Sequence, residues 1–141
     1  MPAGVKKKDN EFLMSVGSDS LVIPAKLIND LLGEEFSFDD KRVSAVFTPK
    51  VCYLAVYNDA GYPYTLTCID RTAVRVIWKS EGWGSWWYGI GGGVGKSRVS
   101  VELQGDRVLV FGVSGVGLIH AEAFRADSGK NLFRFSNTYC E

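Results

Sequence analysis

From residue 43 to residue 135 the apolar side chains tend to recur every second position, and turn-forming residues break them into short runs. Alternation of this kind sends successive side chains to opposite faces, as a β-strand does. It cannot make the ~3.6-residue stripe of an amphipathic helix. The pattern predicts short antiparallel strands joined by tight turns. Strands are expected at 43–47, 51–57, 64–70 and 74–78, then at 99–103, 107–113, 118–124 and 132–135. The run VCYLAVY at 51–57 is apolar almost throughout, which predicts a buried strand. Between runs lie Asn58-Asp59-Ala60-Gly61, Gln104-Gly105-Asp106 and Asp127-Ser128-Gly129-Lys130. Glycine reaches left-handed backbone there, and Asp or Asn side chains bond nearby N–H groups.

The two strand sets superimpose without a gap at an offset of 57. Tyr53 then falls on Val110, Val56 on Val113, Leu66 on Ala123, Asp70 on Asp127 and Trp78 on Phe135. The stretch between them, GWGSWWYGIGGGVG at 82–95, supplies the extra length. Repetition of a strand set is a mark of folds built from similar sheets.

LTCIDRTAVRVIW and AEAFRADSGKNLFRF resemble the third and fourth blade strands of β-propellers of the quinoprotein and WD-repeat types. In those families a strand ending in Asp enters a Thr/Ser-Gly-Lys turn, and the next strand ends in an aromatic. Asp127-Ser128-Gly129-Lys130 carries that turn, whereas Asp70-Arg71-Thr72-Ala73 lacks its glycine. GDRVLVFGV is similar to the second strand of such a blade. The resemblance implies two blade-like sheets. Closed propellers take about four blades or more, so two cannot close. The resemblance then implies assembly into a ring, part of a larger ring, or another packing such as a sandwich or curled sheet. No residue maps onto a ligand of the family's quinone, so no cofactor is expected.

Ahead of the repeat, residues 1–10 carry Lys6, Lys7 and Lys8 among polar residues and predict a flexible tail, with 11–141 forming one β-rich domain. Short strands are expected at 11–16 and 21–23. One helix follows. Pro24 suits a first helical turn, Leu27, Ile28, Leu31 and Leu32 make one apolar stripe, and Gly33 supplies a stop.

At 141 residues, 46% of them hydrophobic and 23% charged, the chain is long and apolar enough to bury a core. Sixteen basic and sixteen acidic residues cancel. That balance argues against phosphate-driven nucleic-acid binding, which usually shows a basic excess. It also leaves little mutual repulsion, so homo-oligomers are permitted. No run of roughly 18 apolar residues is present, so no transmembrane helix is expected. The N-terminus lacks the apolar core of a secretory signal, and a cytoplasmic location is expected.

Metal and catalytic signals are sparse. Cys52, Cys68 and Cys140 form no CxxC pair and His120 is the single histidine, so no metal site is expected. If Tyr57 faces Tyr64, Tyr53 faces Cys68 and Cys52 points to the opposite face, which predicts two free thiols. GGGVGKS at 91–97 ends like a phosphate loop, but the motif's first glycine position holds Ile90 and a strand pattern follows where a helix is needed. A glycine-rich connection between strands is the expected reading. His120 shares a strand face with Glu122, without a nucleophile placed beside them. Asp39-Asp40 and Glu34-Glu35 lie in polar turns, and Asp70 and Asp127 are expected to bond N–H groups of their own turns.

The candidate binding residues are Trp83, Trp86, Trp87 and Tyr88. Exposed on a loop, they would stack on a sugar ring or a partner's side chains. Alternatively, Trp86 and Tyr88 at i and i+2 fill one face of a strand while Trp87 points the other way. The expected fold is mainly β: antiparallel meanders in two blade-like sheets of three to four strands, plus one short N-terminal helix. The expected function is a non-enzymatic binding or interaction module, with self-assembly permitted. The alternative is an enzyme or lectin-like protein acting on a small or carbohydrate-like ligand through the Trp-rich loop and a carboxylate such as Glu122 or Asp39.

Overall fold

A computed structural model of the chain describes residues 4–32, 43–56, 65–81, 98–113 and 119–136. These residues form three antiparallel sheets and one helix. The first sheet holds β1 (Gly4–Lys8), β2 (Glu11–Val16) and β3 (Asp19–Pro24), and α1 (Ala25–Leu32) follows it. The second holds β4 (Val43–Phe47), β5 (Val51–Val56), β6 (Thr65–Asp70) and β7 (Arg75–Glu81). The third holds β8 (Arg98–Gln104), β9 (Arg107–Val113), β10 (Ile119–Arg125) and β11 (Asn131–Ser136). Each sheet is a meander, with every strand hydrogen-bonded to its neighbour in sequence. The mainly β, antiparallel architecture expected from the period-two pattern is therefore the observed one.

The second sheet is the middle layer. Cys52, Leu54 and Val56 on β5 pack with Met14, Ile23 and Ile28 of the first sheet and helix. Tyr53 and Ala55, on the other face of the same strand, pack with Val101, Val110 and Phe124 of the third sheet. A strand covered on both sides must be apolar at every position, which explains the unbroken run 51–56. Burying a side chain such as Leu54 stabilises the fold by about 1.5–3 kcal/mol.

Residues 4–8 are a strand where a tail was expected. Gly4 to Lys8 pair with Ser15 to Glu11. Asp9 makes the reversal at φ 54°, a left-handed angle that Asp tolerates better than most residues. Val5 packs against the core while Lys6, Lys7 and Lys8 are exposed. Lysines on an outermost strand keep other strands from pairing with it, so the basic run marks an edge rather than a tail. Pro24 likewise closes β3, paired with Glu11, instead of opening the helix. The helix begins at Ala25, whose N–H is bonded 2.8 Å from the Asn10 carbonyl. Ile28 is buried, with Leu27 and Leu31 packed beside it.

The two four-stranded sheets correspond strand for strand, but not at one offset. The β6–β7 turn is closed by the Val74 N–H on the Asp70 carbonyl at 2.9 Å, and the β10–β11 turn by the Gly129 N–H on the Arg125 carbonyl at 2.8 Å. Asp70 therefore matches Arg125, not Asp127. Cys68 pairs with Trp78 and Tyr53. Ala123 pairs with Phe133 and Leu109. Trp78 thus matches Phe133, not Phe135, and Tyr53 matches Leu109, not Val110. The ungapped offset fails because eight residues join β5 to β6 and five join β9 to β10. A slip of one residue exchanges the faces of a strand.

Candidate functional site

The middle sheet shows how a layer covers its neighbour. The row Val46–Tyr53–Cys68–Trp78 crosses β4 to β7 on the face turned to the third sheet. The indole Nε1 of Trp78 donates to the Ala126 carbonyl at 2.9 Å, and the Tyr53 hydroxyl donates to the same oxygen at 3.4 Å. Ser80 donates to the Gly129 carbonyl in a short hydrogen bond. The β10–β11 turn thus sits on the aromatic pair Tyr53 and Trp78, whose ring centroids lie 6.0 Å apart. Gly129 is required twice over. Its φ is 77°, and a Cβ there would stand 2.6 Å from Cδ2 of Trp78.

The matching rows of the third sheet are Glu102–Leu109–Ala123–Phe133 and Ser100–Phe111–Ala121–Phe135. They lie on its outer face, away from Val101, Val108, Val110 and Phe124. Phe111, Phe133 and Phe135 are 38%, 50% and 53% exposed, whereas Trp78 is 8% exposed. Ala123, between Leu109 and Phe133, is fully buried. Three exposed phenylalanines around two small alanines form a continuous apolar patch on this face. No described sheet packs on it.

The carboxylates expected to carry chemistry have structural partners. Glu122 shares a face with Val110 in register, and its side chain has no solvent exposure. It accepts a hydrogen bond from Asn131 Nδ2 at 3.0 Å, and Arg134 Nε lies 3.5 Å away. A buried carboxylate needs such donors to offset its lost hydration. Asp70 accepts from the Thr72 and Ala73 N–H groups at 2.8 and 2.9 Å, as expected for its turn. The Ala73 N–H, and then the Thr72 N–H, hold its carboxyl below the ordinary carboxylate range. Asp127 has a stronger partner than its turn, whose own N–H and Ser128 hydroxyl contribute less. It pairs with Arg125 in a two-point bond of 2.8 and 3.0 Å, which holds its carboxyl low and raises the guanidinium.

Cys52 and Cys68 are buried free thiols, with Tyr53 opposite Cys68 as the register argument required. Burial, aided by the neighbouring Cys68, pushes Cys52 up to about 12, and burial with Asp70 nearby pushes Cys68 up to about 11. Neither forms a nucleophilic thiolate near neutral pH. An open cleft of about 420 Å³ lies where the three sheets meet, with Asp19, Phe47, Val101 and Glu102 among its walls. Asp19 there is held by Arg71 Nη1 at 3.4 Å.

Trp83, Trp86, Trp87 and Tyr88 lie outside the described residues, as do Asp39, Asp40, Glu34, Glu35 and the segment GGGVGKS. A strand, β8, begins at Arg98 immediately after that segment, so the helix a phosphate loop requires does not follow it. His120 lies in β10, opposite Gly112 and Ser136. Among the described residues no three His, Cys, Asp or Glu side chains gather as metal ligands, and no helix is long and apolar enough to cross a membrane. Sequence reasoning missed the phenylalanine face. The alternation of Phe133 and Phe135 on β11, opposite Ala121 and Ala123, was the available signal.

The chain matches no model of a known protein family, and it matches no curated protein.

Proposed function

We propose that this chain is a protein-interaction module whose contact surface is the outer face of β8–β11. One observation carries the reading. The rows that hold Phe111, Phe133 and Phe135 are the counterparts, in register, of the rows of the middle sheet that the chain covers with its own third sheet. Leaving three large aromatics 38–53% exposed wastes burial that a partner would recover, about 25 cal/mol for each Å² removed from water. The partner that fits is a protein layer with a sheet face of its own, because such a layer already fits the equivalent rows. Glu122, the carboxylate an enzyme would use, is buried on the opposite face of β10 with Asn131 and Arg134 as partners.

The test replaces Phe135 by the photoreactive analogue benzoylphenylalanine in the full chain. A control places the same group at Lys26, exposed on the helix. Irradiation in a mixture of cell proteins and this chain is expected to give a discrete protein adduct from position 135 and none from position 26. Phe111→Ser with Phe133→Ser is expected to abolish the adduct. Equal labelling from both positions would contradict the reading.

A further inference from the structure

We propose that the partner is a second copy of this chain, docked head to tail, with the outer face of its β1–β3 sheet on the outer face of β8–β11. This rests on the interaction reading above and names the surface that the face receives. The first observation is where the exposed apolar side chains lie. Large exposed hydrophobics among the described residues are Leu13, Val22, Ile77, Phe111, Leu132, Phe133 and Phe135. Ile77 and Leu132 are the residues that the two register shifts leave without a partner. The others fall at the two ends of the stack. Phe111, Phe133 and Phe135 lie on the last sheet. Leu13 and Val22, 41% and 45% exposed, stand directly opposite each other on the first.

A symmetric pairing of the last face with itself would leave Leu13 and Val22 without a role. Head-to-tail docking covers both ends with one interface.

The second observation is charge. The central row of the first sheet's outer face is Lys6–Leu13–Val22, and Lys6 is exposed on β1. The central row of the last sheet's outer face begins with Glu102, exposed on β8. Within the chain the leading strands of successive four-stranded sheets, β4 and β8, stack on each other. Docking β1 of the second copy over β8 sets Lys6 above Glu102 and Leu13 and Val22 above the phenylalanines. Opposite charges there fix the register more than they add affinity. Lys8 and Glu11 pair with each other at one end of the first face, and Arg107 and Arg125 at one end of the last. The formal net charge of zero sets no general repulsion against association.

The area sets the strength. Three half-exposed phenylalanines leave roughly 300 Å² of aromatic surface to cover. With the rest of one sheet face, the interface falls at the small end of specific contacts, under about 1,200 Å² in total. The association is therefore dissociable.

Sedimentation velocity on the full chain tests this, from about 1 μM to about 1 mM, the range of weak complexes. The wild-type mass average is expected to rise with concentration. Phe133→Lys and Val22→Lys each remove one end, and each alone is expected to stay monomeric with an unchanged thermal midpoint. An equimolar mixture of the two is expected to form a one-to-one dimer and nothing larger, because one intact head meets one intact tail. Should either variant fail to fold, Phe135→Ser and Leu13→Ser take their places. A wild-type chain that is monomeric throughout, a Val22→Lys chain that associates like wild type, or a mixture that stays monomeric would each overturn the inference. If the chain alone is monomeric while the probe at position 135 still labels a different protein, self-docking fails and the interaction reading stands. Loss of both results removes both.

Discussion

Gly129 holds the two four-stranded sheets together at the residue scale. It lets the β10–β11 turn lie flat on Trp78 while its carbonyl receives Ser80. Gly129→Ala adds left-handed strain and a clash with the indole, and is expected to cost about 2–4 kcal/mol. Gly17→Ala and Gly105→Ala carry the strain without the clash, since nothing lies within 4 Å of a Cβ at either, and are expected to cost about 1–2 kcal/mol. Urea unfolding of the three variants checks the order; equal losses would mean that the turn does not rest on Trp78. At the matching turn position the middle sheet holds Val74, at φ 51°. A branched side chain is strained there, and Val74 stays because it packs against the core.

Asp70 adds a pH dependence at the same scale. Its folded carboxyl titrates below its unfolded value because the charged form accepts two turn N–H groups. A depressed carboxyl stabilises the fold above the unfolded value, about 3.9, and that contribution is lost as pH falls through the folded one. The thermal midpoint is therefore expected to drop as the pH is lowered below about 4. In Asp70→Asn the drop is expected to be smaller. An identical acid profile in the two proteins would contradict the assignment.

The leading strand is the sharpest case at the element scale, because the sequence hides it. Three consecutive lysines obscure the alternation that Val5 begins, and only the Asp9-Asn10 reversal betrays a hairpin. Deleting residues 1–8 is expected to cost about 1–2 kcal/mol through loss of Val5 packing, and to lower solubility by leaving β2 as an unprotected edge. A tail would leave stability within about 0.5 kcal/mol, so calorimetry of the truncated chain decides between them.

The other strands were legible because alternation, turn residues and one hairpin register depend on local chemistry. That is why the Tyr53–Cys68 pairing, and with it the free thiols, could be read in advance. The correspondence between the sheets was not legible in full, because turn hydrogen bonds and connection lengths set it. The main partner of Asp127 was not legible for a similar reason. Arg125, two residues before it, competes successfully for its carboxylate. The phenylalanine face was readable as alternation but not as exposure, since burial depends on what packs against the face.

For the whole molecule, the described residues stack three sheets, with Leu13 and Val22 exposed at one end and Phe111, Phe133 and Phe135 at the other. Side chains left uncovered at both ends of the described sheets are what the proposed docking of a further layer would bury. That claim can be read from the phenylalanines themselves. With 4-fluorophenylalanine throughout the chain and each ¹⁹F resonance assigned by substitution, spectra are recorded while concentration is raised toward 1 mM, the weak-binding range of about 4 kcal/mol. The resonances of Phe111, Phe133 and Phe135 are expected to shift and broaden together, while that of the buried Phe124 stays in place. Three exposed-face resonances that do not move, with the protein folded throughout, would contradict the account.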